Sequence, residues 1–268
     1  MRSRLTLTAL LAVLAVLLTA CSTSGTDSGA SGGSDLAAVK EAGVLKVGTE
    51  GTYAPFSFHD PTTNELVGYD VEVIKAVADE LGVTVEYVET PWDAIFAGLT
   101  SGRYDVVANQ VTRTTEREGL YGLSRTYTYS EGVIATRADE ASITDLAGLK
   151  GRKAAQSLTS NWAQVAKDAG ANVESVEGFT QAITLLKQER VDATVNDSLA
   201  VLDYQKSTGD TDVKIAATTG DVSEQVVATR KDSDLVPAID EALADLAADG
   251  TLKAISEKYF GSDVSVQP

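Results

Sequence analysis

The pattern Leu99-x3-Arg103-x-Asp105-x3-Asn109 recurs as Leu186-x3-Arg190-x-Asp192-x3-Asn196. In each copy a helical pattern runs out at the leucine and an apolar run begins at the aspartate. The run is short enough for a buried strand and ends at an asparagine. The repetition predicts two lobes built on one plan, each presenting the C-terminal end of a strand.

The surroundings of both copies support an α/β sheet, largely parallel. In the first, 35–43 reads as a short helix, 44–49 as a strand and 50–66 as a loop punctuated by Gly51, Pro55 and Pro61. Asp70 is expected to cap a helix whose face is Val73, Ile74, Val77, Ala78 and Leu81, ended by Gly82. A strand at 83–87, a helix at 91–101 and a strand at 105–108 follow. The second copy gives strands at 152–156, 173–176, 192–196 and 213–216, with helices at 159–169, 180–188 and 197–206. Two amphipathic helices close the chain, Pro237 in the first turn of one and Gly250 after it. Alternation of this kind is the signature of a parallel sheet with helices on its faces.

A second echo sets Val133-Ile134-Ala135-Thr136-Arg137 against Val226-Val227-Ala228-Thr229-Arg230. Both segments are strand-like and both stand where the chain changes character. They predict a two-strand hinge near 131–137 and 224–230. Lobe 1 is then 35–130 plus 231–268, and lobe 2 is 138–223.

The N-terminus follows different rules. Arg2 and Arg4 precede an apolar run from Leu5 to Leu18 and the small pair Thr19-Ala20. Residues 1–20 read as a signal peptide, too short to span a bilayer. The lone cysteine stands in Leu18-Thr19-Ala20-Cys21, which resembles the bacterial lipobox and makes Cys21 the expected lipidation site. The rest of 21–34 is a Ser/Gly tether, roughly 20 Å in average span. With 39 acidic against 22 basic side chains the net charge is −17, and loss of Arg2 and Arg4 makes it −19. Nucleic acid is not an expected partner for such a chain.

The residue inventory disfavours catalysis. His59 is the only histidine and lies in a loop; no free thiol remains once Cys21 is used; no Gly-rich phosphate motif occurs. No metal and no cofactor are expected. Binding is better supplied. Arg117 can grip a carboxylate in a bidentate fork. Thr159, Ser160 and Asn161 stand at a predicted helix start, where free N–H groups favour an anion. Asp197, at the other strand end, can meet an ammonium. Tyr53 and Trp92 follow the first and second strands and can cover an apolar or cationic part. Anion grips with an ammonium acceptor suit an α-amino acid.

The motifs Gly48-Thr49-Glu50-Gly51-Thr52-Tyr53-Ala54-Pro55-Phe56, Gly68-Tyr69-Asp70-Val71, Trp92-Asp93, Asp105 to Arg117, Gly151 to Asn161, Arg190-Val191-Asp192 and Asp249-Gly250-Thr251-Leu252 with Tyr259-Phe260 resemble the extracellular solute-binding proteins of the polar amino-acid class (family 3). The likeness covers about residues 40–262. It implies a two-lobed periplasmic-binding-protein clamshell that closes on its ligand. It also implies a monomeric lipoprotein outside the cell membrane that delivers an L-amino acid to an ABC permease and its ATPase. By motif, Arg117 would hold the α-carboxylate, with Asn109, Gln110 and Thr112 around it and the ammonium. Ser157, Thr159, Ser160 and Asn161 would contribute from the second lobe, and Asp197 would take the α-ammonium. Tyr53 and Trp92 would sandwich the side chain, and Glu50 stands where relatives binding basic side chains often have an acid. Asn109-Gln110-Val111 with the 155–161 turn looks most like cystine-type receptors; histidine, arginine and glutamine are the other ligands implied. A cyclohexadienyl- or arogenate-type dehydratase on the same fold, with Glu50 as proton donor, and an extracellular sensor module are the alternative readings.

Overall fold

A computed structural model of the chain describes residues 34–268. The expected signal peptide 1–20, the lipidation site Cys21 and all of the tether before Ser34 lie outside the described residues.

Lobe 1 opens with α1 (Asp35–Ala42) and β1 (Val44–Thr49). The stretch expected to be loop instead folds β2 (Thr52–Tyr53), β3 (Ser57–His59) and β4 (Leu66–Val67) into a small antiparallel sheet. Then come α2 (Tyr69–Leu81), β5 (Thr84–Glu89), α3 (Trp92–Thr100), β6 (Val106–Thr112), α4 (Thr115–Leu120) and β7 (Tyr121–Leu123). The chain crosses on β8 (Thr128–Arg137). A 3-10 turn (Leu146–Leu149) leads into β9 (Lys153–Gln156), α5 (Asn161–Asp168), β10 (Asn172–Ser175), α6 (Phe179–Lys187), β11 (Ala193–Asp197) and α7 (Ser198–Thr208). It returns on β12 (Val213–Arg230), and α8 (Leu235–Ala248) and α9 (Thr251–Phe260) follow.

Two parallel sets, β5-β1-β6 and β10-β9-β11, are joined by the antiparallel pair β8 and β12. Each set carries an apolar layer on both faces, as parallel sheets require. In lobe 1, α2, α8 and α9 bury Val73, Ile74, Val77, Ile239, Leu243 and Leu252 on one side. On the other, α3 buries Ile95 and Leu99 against Val107 and Val111. In lobe 2, Ile183 and Leu186 of α6 cover one face and Ala166 of α5 the other.

The Leu-x3-Arg-x-Asp-x3-Asn repeat has a structural cause. Asp105 accepts a hydrogen bond from the backbone N–H of Lys46 (3.0 Å) while its own N–H donates to the Lys46 carbonyl. Asp192 does the same with Lys153, at 2.8 Å each way. Each aspartate pins the start of its strand to the neighbouring parallel strand, and so fixes where the asparagine at the far end arrives.

Two expectations are corrected. Asp70 does not cap α2; the N-cap is Gly68, at φ 137°, where a Cβ would stand 2.2 Å from the Phe56 carbonyl oxygen. Asp70 lies inside the first turn and its carboxylate is used elsewhere. The crossing is also displaced from the two echoed segments. Residues 133–136 already pair with β11 of lobe 2, and Val226, Ala228, Thr229 and Arg230 pair with β6 or β7 of lobe 1. The strands pass between lobes where Thr128–Glu131 pair with Val222–Gln225, next to a register break between Thr218 and Val222. The likeness of the two segments reflects a shared apolar strand character, not a shared place at the hinge.

Candidate functional site

The lobes meet across the C-terminal ends of β1, β6, β9 and β11, the location at which open α/β sheets bind ligands. They are in contact. The Tyr53 hydroxyl donates to Asn196 Oδ1 (2.7 Å), and the Tyr53 and Phe179 rings meet edge-on at 6.4 Å. Asp93 of α3 accepts from Thr159 N (3.0 Å), Thr159 Oγ1 (2.8 Å) and Leu158 N (3.3 Å) of lobe 2. The cleft is therefore closed, around about 500 Å3 of space not filled by protein atoms and partly open to solvent.

Lobe 1 shapes its wall with a bulge. Between Val107 and Val111, β6 uses four steps while β12 uses two, from Ala228 to Val226. The surplus residues include Asn109 and Gln110, and Gln110 takes a left-handed φ of 49°. Bulges re-aim side chains at functional sites, and a non-glycine residue in this region costs strain that its surroundings must hold. Asp70 does the holding. It accepts from Gln110 N (2.7 Å), Gln110 Nε2 (2.7 Å) and the Tyr127 hydroxyl (2.8 Å). Burial pushes the Asp70 carboxyl up to about 7 in spite of these bonds.

Asn109 organises the next layer. Its Oδ1 accepts from Thr49 Oγ1 (2.9 Å), Glu50 N (2.8 Å) and Ser57 Oγ (3.0 Å), and its Nδ2 donates to Glu50 Oε2 (2.6 Å). Among the described residues Glu50 has no cationic partner. Burial raises its pKa to about 7, opposed by the hydrogen bonds from Asn109 and the Trp92 backbone. Its other oxygen faces the glycine N-cap of α6, where a Cβ on Gly178 would stand 3.5 Å from Oε1.

Of the twelve residues expected in the site, Glu50, Tyr53, Trp92, Asn109, Gln110, Ser157, Ser160 and Asn161 line this cavity. Four do not. Arg117 is 7 % exposed, with Nη1 donating to the Thr112 carbonyl (2.7 Å) and its guanidinium 5.3 and 5.2 Å from the Trp92 and Phe96 ring centres. Burial holds its pKa down to about 10. With Thr159 it lines an adjoining compartment, whose wall shares Ser160 and Asn161 with the cavity. Thr112 lines a third compartment on the side of the crossing strands. Asp197 is turned inward: it caps α7 through Leu199 N (2.9 Å) and is also bound by Ser130 Oγ and Gln225 Nε2. Burial raises it to about 6.

Sequence reasoning missed Gln156, Trp162, Phe179 and Thr194, all in the cavity wall, where Asn196 of the repeated motif also stands. Gln156 ends β9 as Asn196 nearly ends β11, so the strand-end rule that pointed to Asn196 could also have found Gln156. Trp162 packs on Gly132 of β8, where a Cβ would stand 2.4 Å from the indole. Among the described residues no group of three or more His, Cys, Asp or Glu side chains is arranged to hold a metal ion.

Residues 45–262 match the model of the bacterial extracellular solute-binding proteins, family 3. The chain belongs to that family. It is 51 % identical over 230 residues to the L-cystine-binding protein TcyA of Bacillus subtilis (strain 168), covering 85 % of each chain. Among solved structures, the L-cystine solute receptor of Neisseria gonorrhoeae in its unliganded open conformation is 46 % identical, with a TM-score of 0.59 over 88 % of this chain and 100 % of that one. An ancestral arginine-binding protein bound to arginine is 39 % identical, with a TM-score of 0.77 over 82 % and 99 %. The family 3 chain thus superposes better on a liganded relative than on an open one of higher identity, in keeping with the contacts across its cleft.

Proposed function

We propose that this chain is the extracytoplasmic receptor of an amino-acid ABC importer and that its ligand is L-cystine. One observation carries the amino-acid reading. Glu50, part-buried in the inter-lobe cavity, has hydrogen-bond donors but no cation among the described residues. A carboxylate kept from water without a counter-charge is costly, and a ligand ammonium removes the cost. The likeness to TcyA supports cystine in particular. The α-carboxylate is taken to the boundary where Ser160 and Asn161 join the cavity to the Arg117 compartment. There the free N–H groups at the start of α5 and the guanidinium converge on one anion. Thr112 and Thr159 border that end. Asp197 acts from behind, holding the start of α7 and the crossing strands through Leu199, Ser130 and Gln225.

The receptor binds and releases without turnover, as a monomer. Cys21 carries its lipid anchor, and Ser34, the residue at which the tether ends, donates a hydrogen bond to Asp234 of lobe 1, at the end of the sheet away from the cleft. Calorimetry with L-cystine, arginine, histidine and glutamine, on protein refolded free of ligand, tests the reading. Cystine is expected to bind most tightly, and Arg117→Ala to weaken it by at least tenfold, since a lost charged hydrogen bond costs about 1.5–3 kcal/mol. No heat from any amino acid would defeat it.

A further inference from the structure

The ribbon that joins the lobes is interrupted beside the crossing. Between Val133 and Glu131, β8 takes two steps while β12 takes four, from Thr218 to Val222. Gly132 thus faces a bulge of Thr219, Gly220 and Asp221, and Gly220 takes a left-handed φ of 89°. A bulge breaks the ladder and bends its strand, and a glycine inside a strand often marks a close approach. Both features fall where β8 leaves lobe 2. Gly132 pairs with Asp197 of β11, and its neighbour Glu131 pairs with Val222 of the crossing.

The close approach is made by Trp162. A Cβ on Gly132 would stand 2.4 Å from Cζ3 and 2.8 Å from Cη2 of the indole, and 2.6 Å from Thr219 Oγ1. The edge of the six-membered ring therefore lies on the Gly132 backbone, beside the bulge. Trp162 is the second residue of α5, and it lines two spaces. One is the inter-lobe cavity; the other is the compartment walled by Thr219, Val222 and Glu224 of β12. One side chain thus touches both the space that a ligand fills and the point at which the ribbon leaves the lobe. Ser130 and Gln225 of the ribbon are tied to lobe 2 by their own side chains, through Asp197. Gly132 has no side chain to be tied by, so the indole on its backbone is what holds it.

We propose that Trp162 is a positioning residue for closure: its indole, seated on Gly132, holds the ribbon at the closed angle and ties that angle to the filling of the cavity. Lobes swing apart by φ and ψ changes at a few residues. Gly132, bare and opposite a bulge, offers such a place, but its backbone can turn only if the indole yields. The indole has the ribbon on one side and the cavity on the other. A ligand packed in the cavity blocks its withdrawal and so keeps Gly132 in the closed conformation. The coupling rests on the amino-acid reading of the cavity; the seat itself does not.

Hydrogen–deuterium exchange on the full chain tests both parts. Without ligand, Trp162→Leu should speed exchange about tenfold in peptides covering 128–133 and 218–225, with β9 and β11 unchanged. Trp162→Phe keeps a ring in the cavity wall but is too short to reach Gly132. It should speed the same peptides, and it carries the test should the leucine variant not fold. Unchanged exchange at the ribbon would overturn the proposal. So would faster exchange through the whole of lobe 2, since the indole would then only support that lobe's core. Saturating L-cystine should slow exchange at 128–133 in the unaltered protein. In Trp162→Phe it should still protect 107–112 of β6 and leave the ribbon unprotected. Equal protection of the ribbon in both proteins would overturn the coupling. No protection of the unaltered protein anywhere by L-cystine or L-arginine would instead count against the amino-acid reading, and the ligand-free comparison would still decide whether Trp162 holds the ribbon.

Discussion

Asp93→Ala isolates closure from ligand contact. Asp93 is absent from the cavity wall, yet it accepts three hydrogen bonds from Leu158 and Thr159 of the opposite lobe. Opening the cleft breaks all three and leaves the groups in water. Each is worth about 0.5–1.5 kcal/mol net. The side chain is exposed, so charge assistance is screened, and the 3.3 Å contact adds little. About 1–2 kcal/mol of preference for the closed state remains. A ligand that binds the closed state loses that amount, a weakening of about five- to thirtyfold. Stopped-flow binding should place the loss in dissociation, with association, which begins from the open state, little changed. Asp93 also sits in the first turn of α3, where an acid favours the helix by about 0.3–1 kcal/mol. Thr159→Ala avoids that effect, and should show a smaller loss of the same kind. Unchanged dissociation in both variants would refute the reasoning. So would a fall in the unfolding temperature of the unliganded protein with no change in affinity, since the bonds would then belong to one lobe's stability.

Three other expectations follow from the same cleft. Glu50 sits at about 7 in the unliganded protein, and a ligand ammonium favours its carboxylate, so affinity should rise with pH through about 7 and binding should release a proton. Calorimetry in phosphate and in Tris near pH 6.5 measures the release, and Glu50→Gln should abolish it. Because Glu50, Asp70 and Asp197 are all raised above their ordinary values, the unliganded fold binds protons more tightly than the unfolded chain. Its unfolding temperature should fall as pH climbs from about 4.5 to about 7. Gly132→Ala would drive a methyl group to 2.4 Å from the Trp162 ring and should cost about 1–3 kcal/mol by thermal unfolding. Adding Trp162→Leu should recover part of it; no recovery would mean that the strain lies with the Thr219 hydroxyl, 2.6 Å from the same methyl, or in β8 itself.

The alternation of strands and helices was legible because apolar spacing and glycine stops report local conformation directly. The aspartates of the repeat were legible for a related reason: one bonding pattern to Lys46 and Lys153 demanded one residue type at one spacing. What escaped depends on direction rather than position. Asp197 stands at the strand end where it was expected, but pairing with Gly132 of β8 turns its carboxylate toward Ser130 and Gln225. Arg117 was expected at the α-carboxylate, yet its guanidinium packs beside Trp92 and lines the adjoining compartment. Gln156 was passed over for the hydroxyl-rich turn after it, because a glutamine ending a short alanine strand gives no sign that its amide is buried unpaired. The bulge at Asn109 and Gln110 leaves no mark in composition, since it arises from the pairing of β6 with a strand more than a hundred residues away.

The crossing of β8 and β12 sets what the lobes can do. Thr128–Glu131 and Val222–Gln225 pass between the lobes as hydrogen-bonded neighbours, not as two separate cords. A paired ribbon flexes across its face and resists shear within its plane. Relative motion of the lobes is thereby confined to nearly one degree of freedom. Groups of the two lobes, Tyr53 with Asn196 and Asp93 with Thr159, then meet in a single stroke.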